Sequence, residues 1–167
     1  MSPVHFHLFF SHFAVAGILI GFLVLLFGKL LKQDAVLKTG LWILFLASFS
    51  VFAMNASGEE AEEIVEDIKG VSHLLIHEHE EAAEKTVWVA LISGLFSLFT
   101  LWALQTGKKF ANRLVIGSLV FGALTAAAIF NTARQGGLIR HAEELGEIQE
   151  PVETNHDEPS DASSKEY

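Results

Sequence analysis

The chain has 167 residues, of which 51% are hydrophobic, and its mean hydropathy is +0.41, more apolar than an ordinary soluble domain. It contains no cysteine, which excludes disulfides, thiolate metal sites and cysteine catalysis. Its formal net charge of −9 argues against nucleic acid as a partner, because phosphate contacts need clustered lysine and arginine.

Four apolar segments, at 8–28, 40–56, 86–106 and 114–133, organise the chain. Each is long enough, as a helix, to cross an apolar core of about 30 Å, and none has a charged residue in its middle. We therefore predict an all-α fold, a bundle of four transmembrane helices in a lipid bilayer. The membrane domain should cover residues 1–145, and 146–167 should form a disordered acidic tail.

The two short loops between these segments are basic. Their charged residues are Lys29, Lys32, Asp34, Lys38, Lys108, Lys109 and Arg113. The positive-inside rule places both loops in the cytoplasm. Both termini and the 57–85 connection should then lie on the outer side of the cytoplasmic (inner) membrane, and all eight histidines with them.

The 57–85 connection is predicted to form an outer, amphipathic helical cap. Ser57 is a suitable N-cap for a helix that ends at Gly70. A second helix should begin at Ser72 and run unbroken into the membrane to about Thr106.

On the second helix, the histidines of "HLLIHEHEE" fall on two different faces. His73 and His77 have the i, i+4 spacing of metal ligands, but they lie among acids on the wetter face. His79 shares the apolar face with Leu75 and Ile76, so we expect it to be buried and to need a hydrogen-bond partner or a metal.

Counting residues along straight helices predicts two polar levels. One lies inside the apolar slab and faces the bundle interior; it contains His12, Asn55, Ser93 and Asn131. The other lies outside it and contains His5, His7, Glu59, Glu60, Glu62, His79 and Arg134. Gly136 and Gly137 should break the fourth helix and fold His141 back onto this level. We expect His79 to lie within reach of at least one of His5, His7, Glu60, Glu62, Arg140 or His141.

Two fragments carry a family resemblance. "HLFFSHF", from His7 to Phe13, resembles the His-Pro-x-x-Val-His-Phe-Pro opening of a family of uncharacterised bacterial four-helix membrane proteins, with Leu8 and Ala14 in place of the two prolines. "GGLIRHAEE", from Gly136, resembles a Gly-Gly-x-Ile-Arg-His-x-Glu ending of related proteins. The resemblance implies a four-helix membrane domain and no established activity. It selects His7, His12, His79, Glu80, Arg140, His141 and Glu143.

Two functional hypotheses stay open. The first is a metal or haem site on the outer face, used for redox chemistry or metal handling; a transition metal ion or haem b would be its cofactor. Its candidate ligands are His7, His12, His79, His141, Glu62 and Glu80, and the supporting polar cluster is His5, Asn55, Glu60, Asn131, Arg134, Arg140 and Glu143.

The second hypothesis is a non-catalytic membrane subunit or assembly module. Its acidic outer surface would dock a membrane protein or an outer-side protein, and the polar cluster would be a structural lid. A homo-oligomer is also compatible with the sequence. A transporter is less favoured, because no charged residue crosses the middle of the slab. An enzymatic role is disfavoured too, since no phosphate-binding glycine loop, nucleophile elbow or HExxH motif occurs.

Overall fold

The computed structural model describes residues 3–66 and 73–141, except for the side chains at 59, 63–66, 140 and 141. Its four helices are α1 (Pro3–Leu30), α2 (Asp34–Glu66), α3 (His73–Gln105) and α4 (Ala111–His141). Each predicted apolar segment coincides with one of them, except that 86–106 extends one residue beyond the end of α3. The all-α prediction is therefore confirmed, and all four helices are long and apolar enough to cross a membrane.

The distribution of side chains suits a bilayer. Large apolar residues point outward, with Phe49 at 73% and Phe130 at 69% exposure, whereas small and hydroxyl residues such as Ser93, Ser97 and Thr100 are fully buried. A soluble protein shows the reverse arrangement, because water is its solvent. Lipid tails do not penalise exposed phenylalanine, and small residues inside let helices approach closely. The chain thus has the character of a multi-pass membrane protein.

The helices pack in chain order, and α4 closes the arrangement by packing on α1. Helices α1 and α3 therefore lie on one diagonal, with α2 and α4 on the other. We call the end with the two short loops, which carries Lys29, Lys32, Lys108 and Lys109, the lysine end. The opposite end, with His7 and His79, is the histidine end.

The two helical hairpins are held together differently. In the α1–α2 hairpin the backbones nearly touch: a β-carbon at Gly21 would lie 2.9 Å from the Leu44 amide nitrogen, and one at Gly40 would collide with the Leu25 backbone. In the α3–α4 hairpin, buried hydroxyls pair instead. Thr100 and Ser118 are 2.9 Å apart between their hydroxyl oxygens, in the half of the bundle nearer the lysine end.

Two of the predicted helix boundaries are wrong. Helix α2 continues through Ser57 to Glu66, so residues 57–66 extend the second membrane helix and do not form a separate cap helix. The Ser57 hydroxyl donates to the Met54 carbonyl at 2.9 Å, a bond inside the helix. Helix α4 likewise continues through Gly136 and Gly137. The helix stop at Gly70, the cap at Ser72 and the 146–167 tail lie outside the described residues.

The third helix follows its prediction. Helix α3 runs without a break from His73 to Gln105. Within it Ile76, Thr86 and Ala90 are buried and His79 is half-buried, whereas His73 and His77 are exposed. His79 therefore lies on the more buried face of α3, as the apolar stripe predicts.

Candidate imidazole site

His7 joins α1 to α2 at the histidine end. Its Nδ1 lies 3.0 Å from the carbonyl oxygen of Met54. A carbonyl can only accept, so Nδ1 carries the proton and donates it. The ring also lies against Gly58, where a β-carbon would be 3.4 Å from the imidazole Cε1.

His79 joins α3 to α4 in the same manner. Its Nδ1–H donates to the carbonyl oxygen of Thr132 at 3.0 Å. The ring lies on Gly136, where a β-carbon would be only 3.0 Å from Cε1. The side chain of Thr132 adds a second link to α3, since its hydroxyl oxygen is 2.9 Å from that of Thr86.

The two histidines are structurally equivalent. In each hairpin the acceptor carbonyl and the glycine under the ring are four residues apart, so they lie one helical turn from each other. In each hairpin the histidine comes from the first helix and both partners come from the second. Because α1 and α3 lie on one diagonal, the two imidazoles come from opposite corners of the bundle, at the same end.

Electrostatics connect the two imidazoles. Burial lowers the pKa of His79 below its ordinary value of 6.5; the hydrogen bond to Thr132 raises this pKa, a charge on His7 lowers it, and Glu80 raises it. His79 lies before the apolar stretch of α3, in a part of the helix rich in charged residues. These are Glu78, Glu80, Glu81, Glu84 and Lys85.

The hydrogen bonds determine which ring nitrogen is available. With Nδ1–H donated to a carbonyl, each neutral imidazole carries its lone pair on Nε2. Histidines that bind metals are usually oriented by such a bond from the other ring nitrogen to a backbone carbonyl. Among residues 3–66 and 73–141, as far as their side chains are described, no three His, Asp or Glu form a group that could hold a metal ion.

The level predicted inside the apolar slab does not form a cluster. His12 is exposed, and its Nδ1–H donates within its own helix to the Leu8 carbonyl at 2.6 Å. Asn131 is exposed as well, Asn55 is half-buried, and only Ser93 is fully buried. The expectation that His12 and Asn131 face the bundle interior is wrong, because height along a straight helix does not determine which way a side chain points.

The acidic residues predicted at the site are exposed or half-buried where their side chains are described. Glu80 is exposed, and its carboxylate lies 3.8 Å from Nδ1 of His77, one turn earlier on the same helix. Glu60 is exposed and Glu62 is half-buried on α2. His5 and Arg134 are exposed at the same end. The side chains of Arg140 and His141, and the whole of Glu143, lie outside the described part of the chain.

Both histidines are predicted from the sequence as candidate ligands, but their hydrogen-bond partners are not. The bond to the Thr132 carbonyl was not among the contacts expected of His79. Gly136 is not the helix breaker that the sequence predicts; it is the surface on which the His79 ring rests. A glycine inside an apolar helix at the level of a histidine was the available signal, because close approach is the other reason for glycine in a helix.

In comparisons with protein-family models, with curated proteins and with solved structures, the chain matches none.

Proposed function

We propose that His7 and His79 together bind a metal centre, haem b in particular, and that the protein is a membrane redox protein. The observation that carries the proposal is the equivalence of the two imidazoles. They come from diagonal helices at one end of the bundle, and each is oriented by a bond from Nδ1 to a carbonyl, so that each can offer Nε2.

The chemistry of the donors favours haem over a bare ion. A haem could be held by as few as two histidine side chains, here His7 and His79, because the macrocycle supplies the other donors to the iron. A zinc ion at a structural or catalytic site takes three or four protein ligands, and the described residues offer no such group. Haem, when bound, would supply one-electron transfer. The protein would hold it between helices, as bundles hold cofactors generally.

The proposal includes an orientation. The lysine end would face the cytoplasm and the histidine end the outer side of the inner membrane, which the basic residues of the two short loops support. The redox site would then exchange electrons with partners outside that membrane. Helices α2 and α3 continue beyond their apolar stretches at the histidine end, and their exposed acids, such as Glu60 and Glu80, would surround the site.

A second candidate function is a non-catalytic assembly module. The observation in its favour is that both imidazoles are already hydrogen-bonded and packed on glycine. In that case the two histidines would fasten neighbouring helices, and the acidic histidine end would dock another protein.

The visible spectrum and metal content of the purified full-length protein separate these functions. A Soret band with stoichiometric iron is the expected result. Stoichiometric metal without a Soret band would replace haem by a metal ion. A colourless, metal-free protein, prepared from cells supplied with iron and a haem precursor, would contradict the redox proposal and favour the assembly module.

A further inference from the structure

A cavity of about 480 Å³ opens at the lysine end, between the two hairpins. This volume is typical of pockets that hold small ligands, which range from about 300 to 1,000 Å³. Its polar lining consists of Lys29, Lys32, Asp34, Lys108, Lys109 and Asn112. Both short loops contribute to it, and four lysines against a single aspartate make it strongly basic.

The general bias towards basic residues in cytoplasmic loops does not account for this convergence. Lys38 and Arg113 belong to the same predicted loops but do not line the cavity. Lys29 is half-buried, and its ammonium group donates a hydrogen bond to the Asn112 side-chain oxygen, which connects α1 to α4. The lysines that line the cavity are therefore brought together by the packing of the two hairpins.

Lys32 occupies a position where glycine would be less strained. The Gln33 amide donates to the Gly28 carbonyl at 3.0 Å and closes the last turn of α1, and Lys32 takes a φ of 54° in that turn. In the turn after α3 the left-handed position belongs to Gly107, with a φ of 64°. A residue with a β-carbon is disfavoured in this region relative to glycine. The chain nevertheless has a lysine there, and this lysine lines the cavity.

The surroundings of the cavity are those of a membrane surface. The Lys108 ammonium lies 5.3 Å from the centre of the Trp102 ring, and tryptophan is enriched where headgroups meet acyl chains. Leu30 and Leu31 are exposed beside the α1–α2 turn. A ligand in this cavity would meet the four lysines and also the apolar lining residues Leu37, Leu104 and Val115.

We propose that this cavity binds the phosphate-bearing headgroup of an anionic phospholipid. The four lysines would contact the phosphate, and the apolar side chains of the cavity would lie beside the glycerol and the first acyl carbons. Basic pockets between transmembrane helices bind such headgroups in other membrane proteins. The site lies at the opposite end from the imidazole pair and does not depend on the function proposed for it.

Native mass spectrometry of the purified, delipidated full-length protein tests the proposal. The probes are phosphatidylglycerol, phosphatidylethanolamine and inorganic phosphate at equal concentrations. We expect phosphatidylglycerol to bind with at least tenfold preference over phosphatidylethanolamine, because the cavity favours net negative charge. Equal binding of the two lipids would overturn the proposal. Inorganic phosphate that competes on equal terms would overturn it too, since the site would then be one for a soluble anion.

Charge-matched variants assign the binding to the cavity. Lys29→Gln, Lys108→Gln and Lys109→Gln should each weaken phosphatidylglycerol binding about fivefold at low salt, the usual effect of one lysine near an anionic surface. Lys38→Gln, at the same end but outside the lining, should change it less than twofold. Lys32→Gly should weaken binding about fivefold while raising the thermal stability, so that the loss cannot come from misfolding. An equal effect of Lys38→Gln, or unchanged binding in Lys32→Gly, would contradict the assignment.

Discussion

The imidazole of His79 lies on Gly136 so closely that a methyl group there would be 3.0 Å from Cε1. Few real contacts are this short, so any larger residue at 136 must displace the ring. The neighbouring Gly137 has nothing within 4 Å of the same point. Of these two adjacent glycines, Gly136 has no room for a β-carbon unless the ring moves, whereas Gly137 has open space for one.

The substitutions Gly136→Ala and Gly137→Ala test this difference. Gly137→Ala should stabilise α4 by about 0.5–1 kcal/mol, because alanine loses less backbone entropy in a helix. Gly136→Ala has the same entropic advantage, but it also disturbs the hydrogen bond from His79 to Thr132. Loss of such a bond costs about 1–3 kcal/mol for a partly buried group. Thermal unfolding in detergent measures both. A Gly136→Ala protein as stable as Gly137→Ala would show that the ring does not rest on this glycine.

The titration of His79 should make stability depend on pH. Burial lowers its pKa in the folded protein, so below pH 6.5 the unfolded chain binds a proton that the folded protein still excludes. The contribution of His79 to the free energy of unfolding is therefore fully present above pH 6.5. It decreases as the pH falls below that value and becomes constant below the pKa of the folded protein. His79→Gln should flatten this slope, whereas His77→Gln, at an exposed position, should leave it unchanged. The same slope in all three proteins would contradict the burial of His79.

The α1–α2 hairpin depends on a close approach that tolerates no added atom. A β-carbon at Gly40 would collide with the backbone of Leu25, which cannot move as a side chain can. We expect Gly40→Ala to destabilise the protein by about 1–3 kcal/mol, the usual cost of overpacking a dense interior. Gly137→Ala is the matched control, measured by the same unfolding experiment. If both alanine variants unfold at the same temperature, the two helices are not in backbone contact.

The orientation in the membrane can be tested cleanly, because the chain has no cysteine of its own. Six of the seven charged residues in the two short loops are basic, so the lysine end should be cytoplasmic. Single cysteines at the exposed positions Gln33 and Glu60 report the two ends. A membrane-impermeant maleimide added to intact cells should label Glu60→Cys and spare Gln33→Cys. The reverse pattern would place the imidazole site in the cytoplasm.

The helices were predictable because each depends on a local property of the chain. Runs of apolar residues that span a bilayer define the four segments, and the absence of a breaker between Ser72 and Trp88 predicted a continuous α3. The buried face of α3 followed from the 3.6-residue period, which placed His79 apart from His73 and His77.

The details of the site were less accessible, because they depend on how one helix meets another. The carbonyl of Thr132 has no signature in the sequence, since every residue has a carbonyl. Gly136 and Gly137 are identical as letters, and only the packed structure shows that one of them supports a ring. The inward orientation predicted for His12 failed for the same reason: its rotation about the helix axis depends on the neighbouring helices, and its imidazole is exposed.

A titration of the purified full-length protein with haem, followed by the Soret absorbance, tests the central claim most directly. We expect saturable binding that is weakened about tenfold or more in His7→Ala and in His79→Ala, since each change would remove one of the two imidazoles that would hold the haem. His12→Ala and His77→Ala remove exposed histidines from the same two helices and should bind haem as the wild type does. Equal binding by all four variants, or an absence of saturable binding in the wild type, would contradict the claim that the two equivalent imidazoles form the site.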